Sequence, residues 1–485
     1  MKVYMLNPPY YPHFGRSMRW QDTGRAGTLY YPIWLAYATA ALEAENEVRL
    51  VDAPAWGWGV KEVVADAGKF CPDIVVIDTS FPSLRNDIVV AESLKQACSG
   101  ATVVIVGPPA SQFTKVILQS PGVDIVIPWE YDLTLQDLAR ALEERRDLRG
   151  IKNITYKHNG QVMINPSRGL PDSKYLDQLP FVSKAYKKYL HVEDYFLSSS
   201  LYPEVQIFTG RGCPFQCTFC SWTQTLTGRN YRVRSVASVL DEFQWIQDNL
   251  PQVKEVFIED DTFTIDRKRV MNFVQGYNER RLKVTWACNA RVGLDYEVMK
   301  AMERANCRLV IVGYESGSDA ILNNIKKGIT VEQIRQFAKD ARKAGLFVHG
   351  DFIIGLPGET RETIESTRRL IAEVRSDILQ VSVATPFPGT EFYQWAKKNG
   401  YLLTDDPNEY LDEQGHQKSV MSYPELTAGD IARTVDDILK GYYLSLKYVP
   451  IALRQLFCRT GFHEMNRLWR SARAFLVDYV WKRQD

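Results

Sequence analysis

The sequence is short of several things at once. No apolar run approaches the roughly 18 residues that a membrane-spanning helix needs, so no span is expected. The opening stretch, MKVYMLNPPYYP, carries a brief apolar run that ends in prolines, with no small-residue cleavage site behind it; a signal peptide is not expected either. Charge of one sign is lacking: Lys and Arg number 59 against 58 Asp and Glu, a net +1, so nothing global argues for a nucleic-acid partner. Histidine is scarce, and eight cysteines in 485 residues are too few for a disulfide framework. They suit a reducing cytoplasm. There is no internal repeat and no low-complexity tract. With 45% hydrophobic and 24% charged residues, what is there reads as a globular protein of two or three domains.

The chain falls into four stretches. Residues 1–145 alternate short apolar strands with amphipathic helical segments. The strands are VYMLN from Val3, VRLVD from Val48, DIVVIDTS from Asp73, TVVIVGPP from Thr102 and VDIVIP from Val123. Apolar strands separated by helices predict a doubly wound, Rossmann-like parallel sheet, which binds ligands beyond the carboxyl ends of its strands. Trp20, Trp34, Trp56, Trp58 and Trp129 fall in this stretch; they pack a core or, as a group near loop ends, wall a large planar ligand. Residues 146–203 read as a linker with a small hairpin. Residues 204–395 carry six strand–helix units, which predict a partial (β/α)6 TIM-like barrel with its chemistry at the carboxyl ends of the strands. Residues 396–485 read as a C-terminal helical cap. The class is therefore α/β. From Gly441 onward there are eight Lys and Arg against three Asp and Glu, with Tyr442, Tyr443, Tyr448, Phe457, Phe462, Trp469, Phe475, Tyr479 and Trp481. Basic plus aromatic describes either a surface for anionic lipid or a cap with a solvated basic face.

Three of the eight cysteines are not scattered. Cys213, Cys217 and Cys220 stand in GRGCPFQCTFCSW, directly after the first strand of the second α/β stretch. A four-iron cluster takes one thiolate per iron, so three thiolates from one loop leave an iron open to a ligand. Zinc is the alternative, but the spacing lacks the usual pair plus pair and no histidine is near.

At these residues the chain resembles the radical S-adenosylmethionine (SAM) superfamily, whose signature C-x3-C-x2-C has an aromatic before the last cysteine, here Phe219. The resemblance implies a 4Fe-4S cluster on Cys213, Cys217 and Cys220, and SAM split by one electron into methionine and a 5′-deoxyadenosyl radical. It also implies SAM contacts. Glu259, Asp260 and Asp261 stand where the family binds the amino group, with the family's glycines missing. Arg291 stands where it binds the carboxylate, Glu315 and Ser316 where it contacts the ribose, and Ile354 with Gly355 where it supports the adenine. A doubly wound domain ahead of such a barrel resembles the cobalamin-binding class. The nucleotide tail of cobalamin would lie near Thr79, Ser80, Gly107, Pro108 and Glu130. The family's D-x-H-x-x-G ligand motif is absent, so no histidine is expected on cobalt.

Longer strings, among them YYPIWLAYATAALE, NNIKKGIT and GLPGETRETI, resemble the hopanoid-biosynthesis radical SAM proteins. That resemblance implies radical rearrangement or ring contraction of a sugar head group on a hopanoid-like lipid. A cobalamin-dependent C-methyltransferase is the alternative, and a methylthiotransferase acting on RNA or protein a remote one, since Cys71, Cys98, Cys288, Cys307 and Cys458 form no second trio. The partners implied are a lipid-linked or small-molecule substrate and an external one-electron donor of flavodoxin or ferredoxin type. A peripheral contact with the inner face of a membrane, through the C-terminal region, stays open.

Overall fold

The protein is seen here in a computed structural model that describes residues 1–24 and 26–474; Phe475, Tyr479 and Trp481 of the aromatic tail lie outside the described residues. The chain forms two compact units. The first gathers Met1–Tyr195, Ser221–Arg232 and Asp406–Gln417, and the second gathers Phe196–Cys220, Val233–Asp405 and Lys418–Asp485.

The first unit is built on a seven-stranded sheet. Its strands are β1 (Lys2–Asn7), β2 (Glu47–Asp52), β3 (Ile74–Asp78), β4 (Thr102–Val106), β5 (Ile125–Val126), β6 (Thr155–His158) and β7 (Gln161–Ile164). Their order is β2-β1-β3-β4-β5-β6-β7. The first five run parallel, and β6 and β7 are antiparallel additions. The stretch read from sequence as a linker, 146–203, thus holds a hairpin that continues the sheet. Strand β3 is buried at every residue, the signature of a strand covered on both faces. The helix Ile33–Leu42 is buried all round, so its composition shows no polar stripe to read. The order reverses between β1 and β3, which makes the crevice beyond their carboxyl ends the ligand position for such a sheet.

The second unit holds six parallel strands in sequential order: β8 (Glu204–Ile207), β11 (Glu255–Ile258), β12 (Thr285–Ala290), β13 (Cys307–Glu315), β14 (Phe347–Ile354) and β15 (Ile378–Val383). Two very short strands, β9 (Gly210–Arg211) and β10 (Arg232–Val233), follow β8 in the chain. Helices between the strands cover the outside: Trp286 packs on Phe263 and Phe273, and Tyr314 on Phe337. This is the open (β/α)6 arrangement expected from the rhythm of the sequence.

The amino-terminal end of this barrel is closed by ion pairs. Arg308 pairs with Glu255 (2.7 Å) and Glu464 (2.8 Å), and Glu464 pairs with Arg467 (2.7 Å). Arg467 also donates to the Ser198 carbonyl, Arg454 pairs with Asp377, and Gln455 donates to the Asp377 carbonyl. Tyr442 and Tyr443, from the aromatic set of the sequence, donate to the carbonyls of Ser376 and Leu379. Each of the charged side chains named here meets a partner, as burial of charge demands. Arg308→Leu leaves Glu255 and Glu464 short of their shared cation, and a stability loss of about 3–5 kcal/mol is expected. Chemical denaturation reads it as a lower midpoint; a change under about 1 kcal/mol would place this network with surface pairs.

Candidate functional site

The cysteine loop is set by what precedes it. After β8 the chain runs through Thr209–Gly212, and two carboxylates from the end of β11 catch it. Asp260 accepts from the Thr209 N–H (2.6 Å), the Thr209 hydroxyl (2.6 Å) and the Gly210 N–H (2.9 Å). Asp261 accepts from the Gly212 N–H at 3.1 Å. Backbone donors that a loop would otherwise leave unmatched are satisfied here by charge. The Asp260 carboxylate, placed from sequence among the SAM contacts, spends its acceptors on the loop. Asp260 and Asp261 together hold the start of the cysteine motif.

None of the three cysteines is in a disulfide. Burial, with Asp261 adding to it, pushes the Cys213 thiol up to about 11. Its Sγ lies 3.9 Å from the Thr262 hydroxyl. The Thr218 N–H donates to the Ile325 carbonyl and the Thr218 carbonyl accepts from Phe392 N–H, which ties the middle of the motif to two other segments. Among the described residues no three His, Cys, Asp or Glu side chains converge as closely as one metal ion requires. Soft thiolates from three points of one loop fit the corners of an iron–sulfur cluster.

A cavity of about 390 Å³ opens beside Pro214, Phe215 and Gln216, lined also by Arg291, Asn323, Lys326 and Lys327. The Arg291 guanidinium lies 3.7 Å from the centre of the Phe215 ring, a cation–π contact. Lys327, which sequence reading passed over, is buried and pairs with Glu315 at 2.6 Å. Burial alone would lower the Lys327 ammonium, but the Glu315 carboxylate beside it outweighs that and raises it. Glu315 sits at φ +64, where the register between β13 and β14 shifts. A left-handed non-glycine residue is strained backbone of the kind found at binding sites. Ser316 is buried and its hydroxyl faces Thr367 at 3.3 Å. Glu259 is buried at the end of β11.

Ile354 and Gly355 end β14. Gly355 has φ +99, and a Cβ there would stand 3.1 Å from Ile431, so both the backbone and the packing favour glycine. Glu359 accepts from the N–H groups of Gly355 and Leu356, and the Tyr423 hydroxyl donates to the Gly355 carbonyl at 2.8 Å. The C-terminal segment therefore covers one side of this stretch, which no local pattern announced. Burial pushes the Glu359 carboxyl up to about 7 despite its two backbone donors. Lower in the barrel, His349 stands 3.2 Å from Asp351, and burial, with Arg467 adding, pushes it down to about 3. It is a neutral imidazole. Cys288 is buried at the strand wall beside Cys307.

In the first unit the expected cobalamin contacts gather at the carboxyl ends of β3 and β4. The Thr79 hydroxyl donates to Asp87 (2.8 Å), Ser80 and Ser83 share a hydrogen bond (2.6 Å), and Ser83 donates to Asp87. Arg16 pairs with Asp87 at 2.7 Å and donates to Asn7. The Pro108 carbonyl accepts from Ser111. Gly107 has φ +108, and a Cβ there would lie 2.3 Å from the Thr79 carbonyl oxygen; only glycine fits this turn. Glu130 is engaged in a buried ion pair with Arg232 at 2.5 Å, and Arg232 also holds the carbonyls of Pro171 and Thr227. Burial, with Asp87 adding to it and Arg16 opposing, raises the Asp78 carboxyl to about 7. Arg16 and Asp87 were not singled out from sequence, since a lone charge in a loop or a helix carries no pattern; Asp78 ends β3. His13 is exposed in a left-handed turn.

Comparison with known proteins agrees with this division. A family model for the radical SAM superfamily matches residues 207–371, and one for the B12 binding domain matches residues 22–139. A protein of Pyrococcus horikoshii named as an uncharacterized methyltransferase is 31% identical over 95% of this chain and 96% of its own. The anaerobic magnesium-protoporphyrin IX monomethyl ester cyclase of Cereibacter sphaeroides is 28% identical, over 85% of this chain and 67% of its own. The solved structure of TsrM from Kitasatospora setae, a radical SAM methyltransferase with cobalamin and a [4Fe-4S] cluster bound, superposes with a TM-score of 0.69 at 18% identity, covering 98% of each chain; that likeness is one of fold.

Two outcomes are expected from these contacts. Asp260→Asn puts an amide where three donors converge, costing about 1–3 kcal/mol. Iron retained after anaerobic reconstitution should fall with it; full iron content in the variant would remove Asp260 from the loop's support. Glu359 has its folded-state pKa raised above the unfolded value of 4.5. It therefore binds its proton more tightly when folded, and stability is lost as pH rises from about 4.5 through about 7. Glu359→Gln keeps the acceptor and abolishes this slope. Relative to the parent, the variant should gain up to about 3 kcal/mol across that window in denaturation at stepped pH.

Proposed function

Because the chain belongs to the radical SAM enzymes that carry a B12-binding domain, we propose that it transfers a methyl group to an unactivated carbon of a small-molecule or lipid-linked substrate. Its cofactors are a 4Fe-4S cluster, SAM and cobalamin. When bound, they supply an organic radical that takes hydrogen from carbon and a methyl group to place there. The observation that carries the reading is the likeness, along almost the whole chain, to a relative named as a methyltransferase.

In this reading Cys213, Cys217 and Cys220 hold the cluster on three of its irons. Arg291 and Lys327, both lining the cavity beside the loop, offer cations to the carboxylate of SAM, and Glu315 keeps Lys327 charged. Glu259 faces the amino group, and Asp260 acts through the loop it ties. Ser316 borders the ribose, and Ile354 with Gly355 offers backbone to the adenine. In the first unit Thr79, Ser80, Gly107 and Pro108 line the nucleotide tail of cobalamin. Glu130 shapes that edge through Arg232.

A second reading has its own support. The cyclase relative is named for ring chemistry, and radical rearrangement of a sugar head group on a hopanoid-like lipid is of that broad kind. Neither relative named above carries a sugar rearrangement in its name. In both readings the cluster needs one electron from outside, from a donor of flavodoxin or ferredoxin type. A lipid-linked substrate would bring the enzyme to the inner face of a membrane.

The products separate the readings. Reconstituted protein is incubated without oxygen with SAM labelled in its methyl group and candidate head groups. Methylation is expected to give labelled product with S-adenosylhomocysteine beside 5′-deoxyadenosine; rearrangement gives 5′-deoxyadenosine alone. Cys217→Ala should form neither. Substrate consumed with no label in the product would end the methyltransfer reading.

A further inference from the structure

Two C-terminal helices have their faces reversed. A helix packed on its own protein turns its apolar stripe inward. In Val449–Leu456 and Gly461–Ala474 the inward face is polar: Arg454, Gln455, Glu464 and Arg467 bond to the Asp377 side chain and carbonyl, Arg308 and the Ser198 carbonyl. The outward face is apolar. Leu446, in the turn before the first helix, is 88% exposed and Phe457, its C-cap, 85%; Phe462 and Trp469 in the second are 77% and 62% exposed. Val449, Leu453 and Met465 are about half exposed between them. Positions 449, 453 and 457 recur at four-residue steps and 462, 465 and 469 at three and four, so each helix presents one stripe. Exposed apolar side chains lined up on one stripe of each helix point to an interaction site.

Charge selects the partner. Within 441–474 the exposed charged side chains are Lys447, Arg459, which also donates to the Asn306 side chain, and Arg473. The acid of this stretch, Glu464, is buried between Arg308 and Arg467. Arg473 stands 5.7 Å from the Trp469 ring, at the edge of the stripe. Aromatic and aliphatic side chains whose exposed charged neighbours, among the described residues of 441–474, are cations suit the headgroup layer of an anionic bilayer. No helix among the described residues is long and apolar enough to cross a membrane, so the helices would lie on the surface.

We propose that this outward face docks the enzyme on an anionic lipid bilayer, with Phe457, Phe462 and Trp469 entering the interface and Lys447, Arg459 and Arg473 facing lipid charge. The inference rests on the surface and holds whatever the substrate is.

Flotation of the full-length holoprotein with vesicles tests it. Phosphatidylcholine vesicles are compared with vesicles in which about a third of the lipid is phosphatidylglycerol. The protein should float with the anionic vesicles, and less so as salt rises. A variant carrying Phe457→Ser, Phe462→Ser and Trp469→Ser should lose at least about tenfold in partition, with unchanged iron content and SAM cleavage. Lys447→Glu with Arg473→Glu should lose the preference for anionic lipid. Failure of the parent to float, or flotation of the triple variant equal to the parent, overturns the proposal. So does a concentration-dependent dimer, abolished in the triple variant, in a protein that binds neither vesicle; the face would then belong to a second copy.

Discussion

The geometry of the cysteine motif depends on carboxylates accepting backbone N–H groups at the end of β11. Three thiols on a flexible loop would sample many arrangements, and ordering them costs conformational entropy at each residue. Asp260 and Asp261 meet that cost locally, because charged acceptors on Thr209, Gly210 and Gly212 form hydrogen bonds stronger than neutral ones. The loop thus leaves the barrel in one direction, and Thr218 anchors its far part to Ile325 and Phe392. The cavity beside it inherits that order: Phe215 meets Arg291, and Lys327 meets Glu315. Cations gathered around a thiolate-bearing loop also offset the negative charge such a site accumulates.

The opposite end of the barrel solves a different problem. An open six-stranded sheet leaves backbone and charged groups at its amino-terminal rim, and here they are met by polar side chains of two C-terminal helices. Using the polar face inward leaves the apolar face outward, so one packing choice closes the barrel and exposes an apolar surface. Buried ion pairs add little net stability over an apolar plug of equal shape. Their presence is easier to understand if the apolar side of these helices is wanted elsewhere.

In the first unit the crowding of two turns decides the local form. Gly107 passes within a Cβ's reach of the Thr79 carbonyl, and Thr79, Ser80 and Ser83 converge with Arg16 around Asp87. The crevice between β1 and β3 is therefore walled by a network already bonded to itself. Such a wall presents a fixed shape to a ligand.

Much of this was legible along the chain. Apolar strands at regular intervals determine two α/β sheets, because continuous apolar runs and helical spacing are local properties. The spacing of Cys213, Cys217 and Cys220 determines a three-thiolate loop, since all its chemistry lies within eight residues. Other things were decided only in three dimensions. That Asp260 ties a loop, that Glu130 is committed to Arg232, that Lys327 joins Glu315 and that Tyr423 covers Gly355 all depend on residues far apart in sequence. The reversed C-terminal helices belong here too. Periodicity reports that a helix has two faces, but which face is buried is set by what it packs against, and only the tertiary structure supplies that neighbour.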